Sequence, residues 1–72
     1  MNFTVAEKIK IILNKRKMTA TQLADKLGIS RQNLSNKLSR DDFSTSDLIK
    51  IAEALNCTFS SVFTLNDTGE QL

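Results

Sequence analysis

Four polar residues between positions 31 and 36, Arg31, Gln32, Ser35 and Asn36, are the part of this 72-residue chain whose types and spacing suit specific chemistry. A carboxamide such as Gln32 or Asn36 carries a donor beside an acceptor and can meet adenine with two hydrogen bonds. The guanidinium of Arg31 can do the same to guanine, and the hydroxyl of Ser35 is permissive. Helical spacing brings these groups together. With Leu34 and Leu38 pointing inward at i, i+4, Gln32 and Asn36 lie on the opposite side with Ser35 and Ser39 beside them. The same types also suit an ordinary solvated helix face.

The chain offers no reactive centre to compete with that face. It has no histidine to act as a base, no Gly-rich phosphate loop and no set of metal ligands, so no catalytic, cofactor-binding or metal site is expected and the chain does not read as an enzyme. Asp41 and Asp42 are adjacent acids that cap or solvate a turn. Cys57 is the single cysteine, without a partner for an internal disulfide or a metal, and reads as a small buried hydrophobe.

The elements that must position the polar face are legible from caps and apolar periodicity. Thr4 and Glu7 stand at capping-box spacing, followed by Val5, Ile9, Ile12 and Leu13 at helical intervals and by Lys15, Arg16 and Lys17 at the negative end of the dipole, which predicts a helix over 5–16. Thr19 and Gln22 repeat the box before Leu23, Ala24 and Leu27, and Gly28 ends a second helix over 20–27. After Ile29, Ser30 caps a third over 31–39. Ser44 and Asp47 open a fourth over 45–55, with Leu48, Ile51, Ala52 and Leu55 on one face. The stretch from Thr58 to Leu65 is rich in β-branched and aromatic residues: Phe59, Ser61, Phe63 and Leu65 share a face if it is extended, while a short fifth helix capped by Thr58 is the alternative. Residues 66–69 read as a turn or fraying tail.

Length and composition allow one small domain, with 40% hydrophobic and 25% charged residues. The longest apolar run, Ile11 to Leu13, is far short of a membrane span, and no signal-peptide pattern is present, so a cytoplasmic protein is expected. The net charge of +2 hides an asymmetry. Residues 1–40 carry nine Lys/Arg against two acids, giving +7, whereas residues 41–72 carry one Lys against six acids, giving −5. Such a basic half suggests a polyanionic partner. It holds no aromatic platform for stacking single-stranded bases, which disfavours RNA.

The spacing Thr19-x-x-x-Leu23-Ala24-x-x-x-Gly28-Ile29-Ser30-Arg31-x-x-Leu34-Ser35 closely resembles the lambda-repressor and Cro-like, or Xre-like, helix-turn-helix proteins, over roughly residues 4–63. The resemblance implies a mainly α, four-helix lambda-repressor-like domain over 1–57, with a C-terminal β-strand or short fifth helix in the tail, 58–72. It also implies double-stranded DNA as partner, with the helix over 31–39 in the major groove. On that alignment Arg31, Gln32, Ser35 and Asn36 are the expected base contacts. Thr19, Thr21, Asn33, Lys37 and Arg40 are candidate phosphate contacts, while Lys8 and Lys10 serve to keep the first helix wet. Many relatives pair a Glu near the end of the recognition helix with an Arg on the first helix. Here those positions are Leu38 and Leu13, which are expected to touch as an apolar replacement of the ion pair. The usual Glu-x-Gly ending is Leu38-Ser39-Arg40, which leaves the path of the next turn open.

An extended tail needs a mate, and no second strand is evident in the chain. Pairing with a second copy through residues 58–66, with Phe59, Ser61, Phe63 and Leu65 at the interface, would give a homodimer suited to inverted half-sites. The end of the chain, Leu65-x-Asp67-Thr68-Gly69-Glu70, resembles a subgroup of small Xre-like proteins, a likeness that implies a strand here. The expected function is a sequence-specific transcription regulator acting as a repressor. The alternative is a protein-interaction module such as an antitoxin, served by the Phe59, Phe63 and Leu65 face.

Overall fold

The computed structural model describes residues 2–72, which form four α-helices: α1 (Val5–Lys15), α2 (Ala20–Leu27), α3 (Arg31–Arg40) and α4 (Thr45–Ala54). Each begins where a side chain takes up a free amide. Thr4, Thr19 and Ser44 make full capping boxes with Glu7, Gln22 and Asp47, and the Ser30 hydroxyl accepts from the Asn33 amide. The boundaries lie within a residue of those expected. α3 runs one residue further, to Arg40, while α1 and α4 stop one residue short.

All four helices end the same way. In each, a residue with positive φ follows the last turn: Lys17 (53°), Gly28 (71°), Asp41 (51°) and Asn56 (56°). The next amide then reaches back five residues, from Met18 to the carbonyl of Leu13 (2.9 Å), Ile29 to Ala24 (3.1 Å), Asp42 to Lys37 (3.1 Å) and Cys57 to Ala52 (2.7 Å). This is the Schellman closure, in which a left-handed residue lets the chain satisfy carbonyls that the helix leaves free. Met18, Ile29 and Cys57 follow it and pack against the core, as the apolar contact of this motif requires. The turn after α3, left open by the missing glycine, is made by Asp41. A Cβ added at Gly28 would meet no atom within 4 Å, so what this position requires is the positive φ and not close approach.

The core joins Ile9 and Leu13 of α1, Leu23 and Ala24 of α2, Leu34 of α3, Ile51 of α4 and Leu55 at its end. Leu23, Leu34 and Leu55 are the largest fully buried side chains. α2 packs on both α3 and α4 and so carries the recognition-like helix on the rest of the domain. Leu38 packs against the cluster that includes Leu13, and both line one surface cleft, consistent with the apolar replacement expected from the sequence.

Three long-range polar contacts tie helix ends together. The Asp41 carboxylate accepts from the Ala6 amide at 2.7 Å, so the residue that closes α3 also caps α1. Arg16 donates through Nε to the Leu55 carbonyl (3.1 Å) and through its terminal nitrogen to the Asn56 carbonyl (3.2 Å). Its cation thus serves the C-terminus of α4, whose own last turn holds no basic residue, rather than only its own helix. Lys37 of α3 and Asp47 of α4 form an ion pair at 3.1 Å.

The tail forms no fifth helix. Phe63 and Leu72 exchange both backbone hydrogen bonds (2.8 and 2.9 Å), the Leu65 amide donates to Glu70 (2.8 Å), and Thr64 and Gln71 make an antiparallel bridge around a turn at 66–69. The expectation that this chain holds no second segment to pair with the tail is therefore overturned. Residues 70–72 supply it, because positive φ at Gly69 lets the chain fold back. The pairing sets Phe63, Leu65 and Leu72 on one face of the ribbon, 79%, 40% and 75% exposed. Cys57 is half-buried, as a small core-edge residue.

Candidate nucleic-acid interface

α3 presents a split face. Leu34 is fully buried and Leu38 half-buried against the other helices, whereas Arg31, Gln32, Asn33, Ser35, Asn36, Ser39 and Arg40 are all exposed. The i, i+4 spacing of the two leucines puts one side of the helix into the core. The four residues expected to contact bases consequently share the open side. Gln32 and Asn36 meet directly: the Gln32 Nε2 donates to the Asn36 Oδ1 at 3.0 Å. That bond leaves the Gln32 carbonyl and the Asn36 amide nitrogen free to act as acceptor and donor towards an outside group.

The other expected contacts divide. Thr21, Asn33 and Arg40 are exposed, and Arg40 has no ion-pair partner among the described residues. The Thr19 hydroxyl accepts from the Gln22 amide within the α2 capping box, so it spends one lone pair on the helix start. Lys37 is bound to Asp47 and half-buried. Asp47 also accepts from the Ser44 amide at 3.0 Å. That backbone bond first, and Lys37 second, hold its carboxyl below the ordinary aspartate range.

Sequence reasoning gave Lys10 only the role of keeping α1 wet. A cleft of about 360 Å³ opens where α1, α2 and α3 meet, lined by Lys10 and Leu13, by Ala20, and by Arg31, Ser35, Leu38 and Ser39. Two cations and two hydroxyls ring an apolar floor there, and no carboxylate lines it. The periodicity of α1 did contain a signal. Lys10 lies three residues before Leu13, hence one turn from a residue aligned next to the end of α3.

Of the residues expected at a tail interface, Ser61, Phe63 and Leu65 are exposed. Phe59 is half-buried and lines a separate groove of about 260 Å³ between α1 and α4, with Val5, Ile9 and Leu48 among its walls. Among the described residues no cluster of potential metal ligands occurs, and no helix is long and apolar enough to cross a membrane.

The family model of the Cro/C1-type HTH DNA-binding domain matches residues 8–68. No curated protein and no solved structure matches the chain. The matched span includes all of α2, the turn and α3, together with α4 and most of the tail.

Proposed function

The chain belongs to the Cro/C1-type HTH DNA-binding domain family, and from that premise we propose that it is a sequence-specific transcription regulator, acting as a repressor in the cytoplasm. It reads double-stranded DNA with α3 in the major groove. The observation that carries this reading is the open side of α3, where Arg31, Gln32, Ser35 and Asn36 stand clear of the core that Leu34 anchors. Asn36 and Gln32 take adenine edges, Arg31 takes guanine, and Ser35 adapts to either. The free amides at the start of α2, with Thr19, Thr21, Asn33 and Arg40, hold the duplex by its phosphates. Lys37 joins them only by sharing its ammonium with Asp47.

The working unit is a homodimer joined through residues 58–66. The inner edge of the tail is paired with residues 70–72, so the mate in a second copy adds to the other edge, where the backbone groups of Val62 and Thr64 make no hydrogen bond among the described residues. The apolar Phe63, Leu65 and Leu72 face supports this assembly, because it is uncovered in the single chain. The chain up to residue 57 then acts as the reading head, and residues 58–72 as the assembly element.

Selection from a genomic DNA pool tests the proposal, using the wild type and the Gln32→Ala/Asn36→Ala double variant at two salt concentrations. A sequence reader enriches one motif, which the variant loses while keeping weak, salt-sensitive binding. If neither protein enriches a motif, the base-reading assignment fails and the interaction-module alternative takes its place.

A further inference from the structure

We infer that Lys10 on α1 is a DNA-backbone contact, binding a phosphate at the cleft where α1 meets the base-reading Arg31 and Ser35 of α3. This rests on the reading of the domain as a double-stranded DNA binder and extends the contact surface to a helix that the recognition face does not include. Lys10 and Arg31 line the same cleft, with Ser35 beside them and Leu13, Ala20 and Leu38 below. Two like charges share this space without a carboxylate among the lining residues, an arrangement that an anion between them relieves.

The nearest acid along α1 is Glu7, which feels the charge of Lys10 but stands outside ion-pair distance of it and is held in the helix cap. Its carboxylate accepts from the Thr4 amide at 2.8 Å as part of the helix cap. No carboxylate among the described residues lies within ion-pair distance of Lys10 or Arg31, since the one ion pair there is Lys37 with Asp47. The apolar floor contributes too. With Leu13 and Leu38 forming it, no acid in the cleft competes for the two cations. Leucine side chains also lower the local polarizability of the surroundings, which strengthens the attraction of a charge for a phosphate. The phosphate belongs to duplex DNA rather than to a free anion because the cleft adjoins the open face of α3 through Arg31 and Ser35.

Lys8 supplies an internal control. Positions two apart on a helix are rotated by roughly 200°, and Lys8 lines the groove between α1 and α4 on the other side of the helix. The test measures binding of the full chain to a short duplex of mixed sequence across a salt series, for the wild type, Lys10→Gln, Lys10→Arg and Lys8→Gln, with a melting curve for each. A lost phosphate contact lowers the slope of log K against log salt by about 0.9 per protomer. Lys10→Gln should show that drop and weaken binding several-fold at low salt, Lys10→Arg should restore both, and Lys8→Gln should match the wild type, all at unchanged melting temperature.

A Lys10→Gln slope equal to that of the wild type, or a Lys8→Gln slope equally reduced, overturns the assignment while leaving the DNA-binding reading intact. A wild-type slope near zero instead removes the DNA-binding reading, and this inference with it.

Discussion

At the scale of single residues, two non-glycine positive-φ positions leave stability unused. Lys17 and Asp41 adopt left-handed backbone without being glycine, which costs about 1–2 kcal/mol for an ordinary side chain. Lys17 is exposed and its side chain makes no hydrogen bond or ion pair among the described residues, so Lys17→Gly should raise stability by about 1 kcal/mol. Urea unfolding would show this as a higher midpoint at unchanged slope, and a lowered midpoint would refute the backbone argument. Asp47 sets an acid limit on stability. Its folded pKa is depressed, chiefly by the Ser44 amide and then by Lys37, so its contribution is present above the ordinary aspartate range and lost as pH falls through the lower folded value. Asp47→Asn should be less stable near neutrality and flatter in acid, checked by melting temperature as a function of pH.

At the scale of elements, Asp41 links two helices that no continuous segment joins. It closes α3 in left-handed conformation and its carboxylate caps α1 through the Ala6 amide. Asp41→Ala removes the acceptor and keeps the backbone cost, so it should destabilise by about 1–2 kcal/mol. Asp41→Asn retains an acceptor and tolerates the same φ, and should lose less than half as much. Asp41→Gly eases the backbone while losing the bond, and should fall close to the wild type. Equal losses for Ala and Asn in urea unfolding would show that the contact to α1 contributes nothing. Arg16 makes the converse link, from the end of α1 to the end of α4. Together these contacts orient α1, and with it Lys10, relative to α3.

At the scale of the whole molecule, the chain is extended rather than spherical. Its radius of gyration is 13.8 Å, whereas about 11 Å is usual for a compact chain of this length. The long axis of 44 Å reflects a tail whose residues are all exposed from Ser60 onward. On the proposed assembly, a second copy covers the apolar face and free edge of this ribbon, and that dimer would set the distance between two α3 helices. Phe63→Asp should therefore convert a dimer to a monomer in sedimentation at micromolar concentration, with motif binding weakened far more than the melting temperature of the head. A variant that sediments as the wild type would remove the tail from the interface.

The four helices were legible in the sequence because their starts are local events. In α1, α2 and α4 a threonine or serine with Glu, Gln or Asp three residues on, and in α3 the Ser30 cap, each followed by an apolar stripe, need nothing from the rest of the chain. The open face of α3 was legible for the same reason, since Leu34 and Leu38 decide which side turns inward. The helix ends were less so: only Gly28 announces a left-handed residue, while Lys17, Asp41 and Asn56 take that conformation because the apolar residue that follows, or the helix that must be capped, requires it. Tertiary structure decided that Asp41 reaches α1, that Arg16 reaches the end of α4 and that Lys37 is held by Asp47, and it brought Lys10 beside Arg31, at which the α1 periodicity only hinted. Each depends on where two helices lie in space, a relation set by the packing of Leu23, Leu34 and Leu55 and carried by no short stretch of residues.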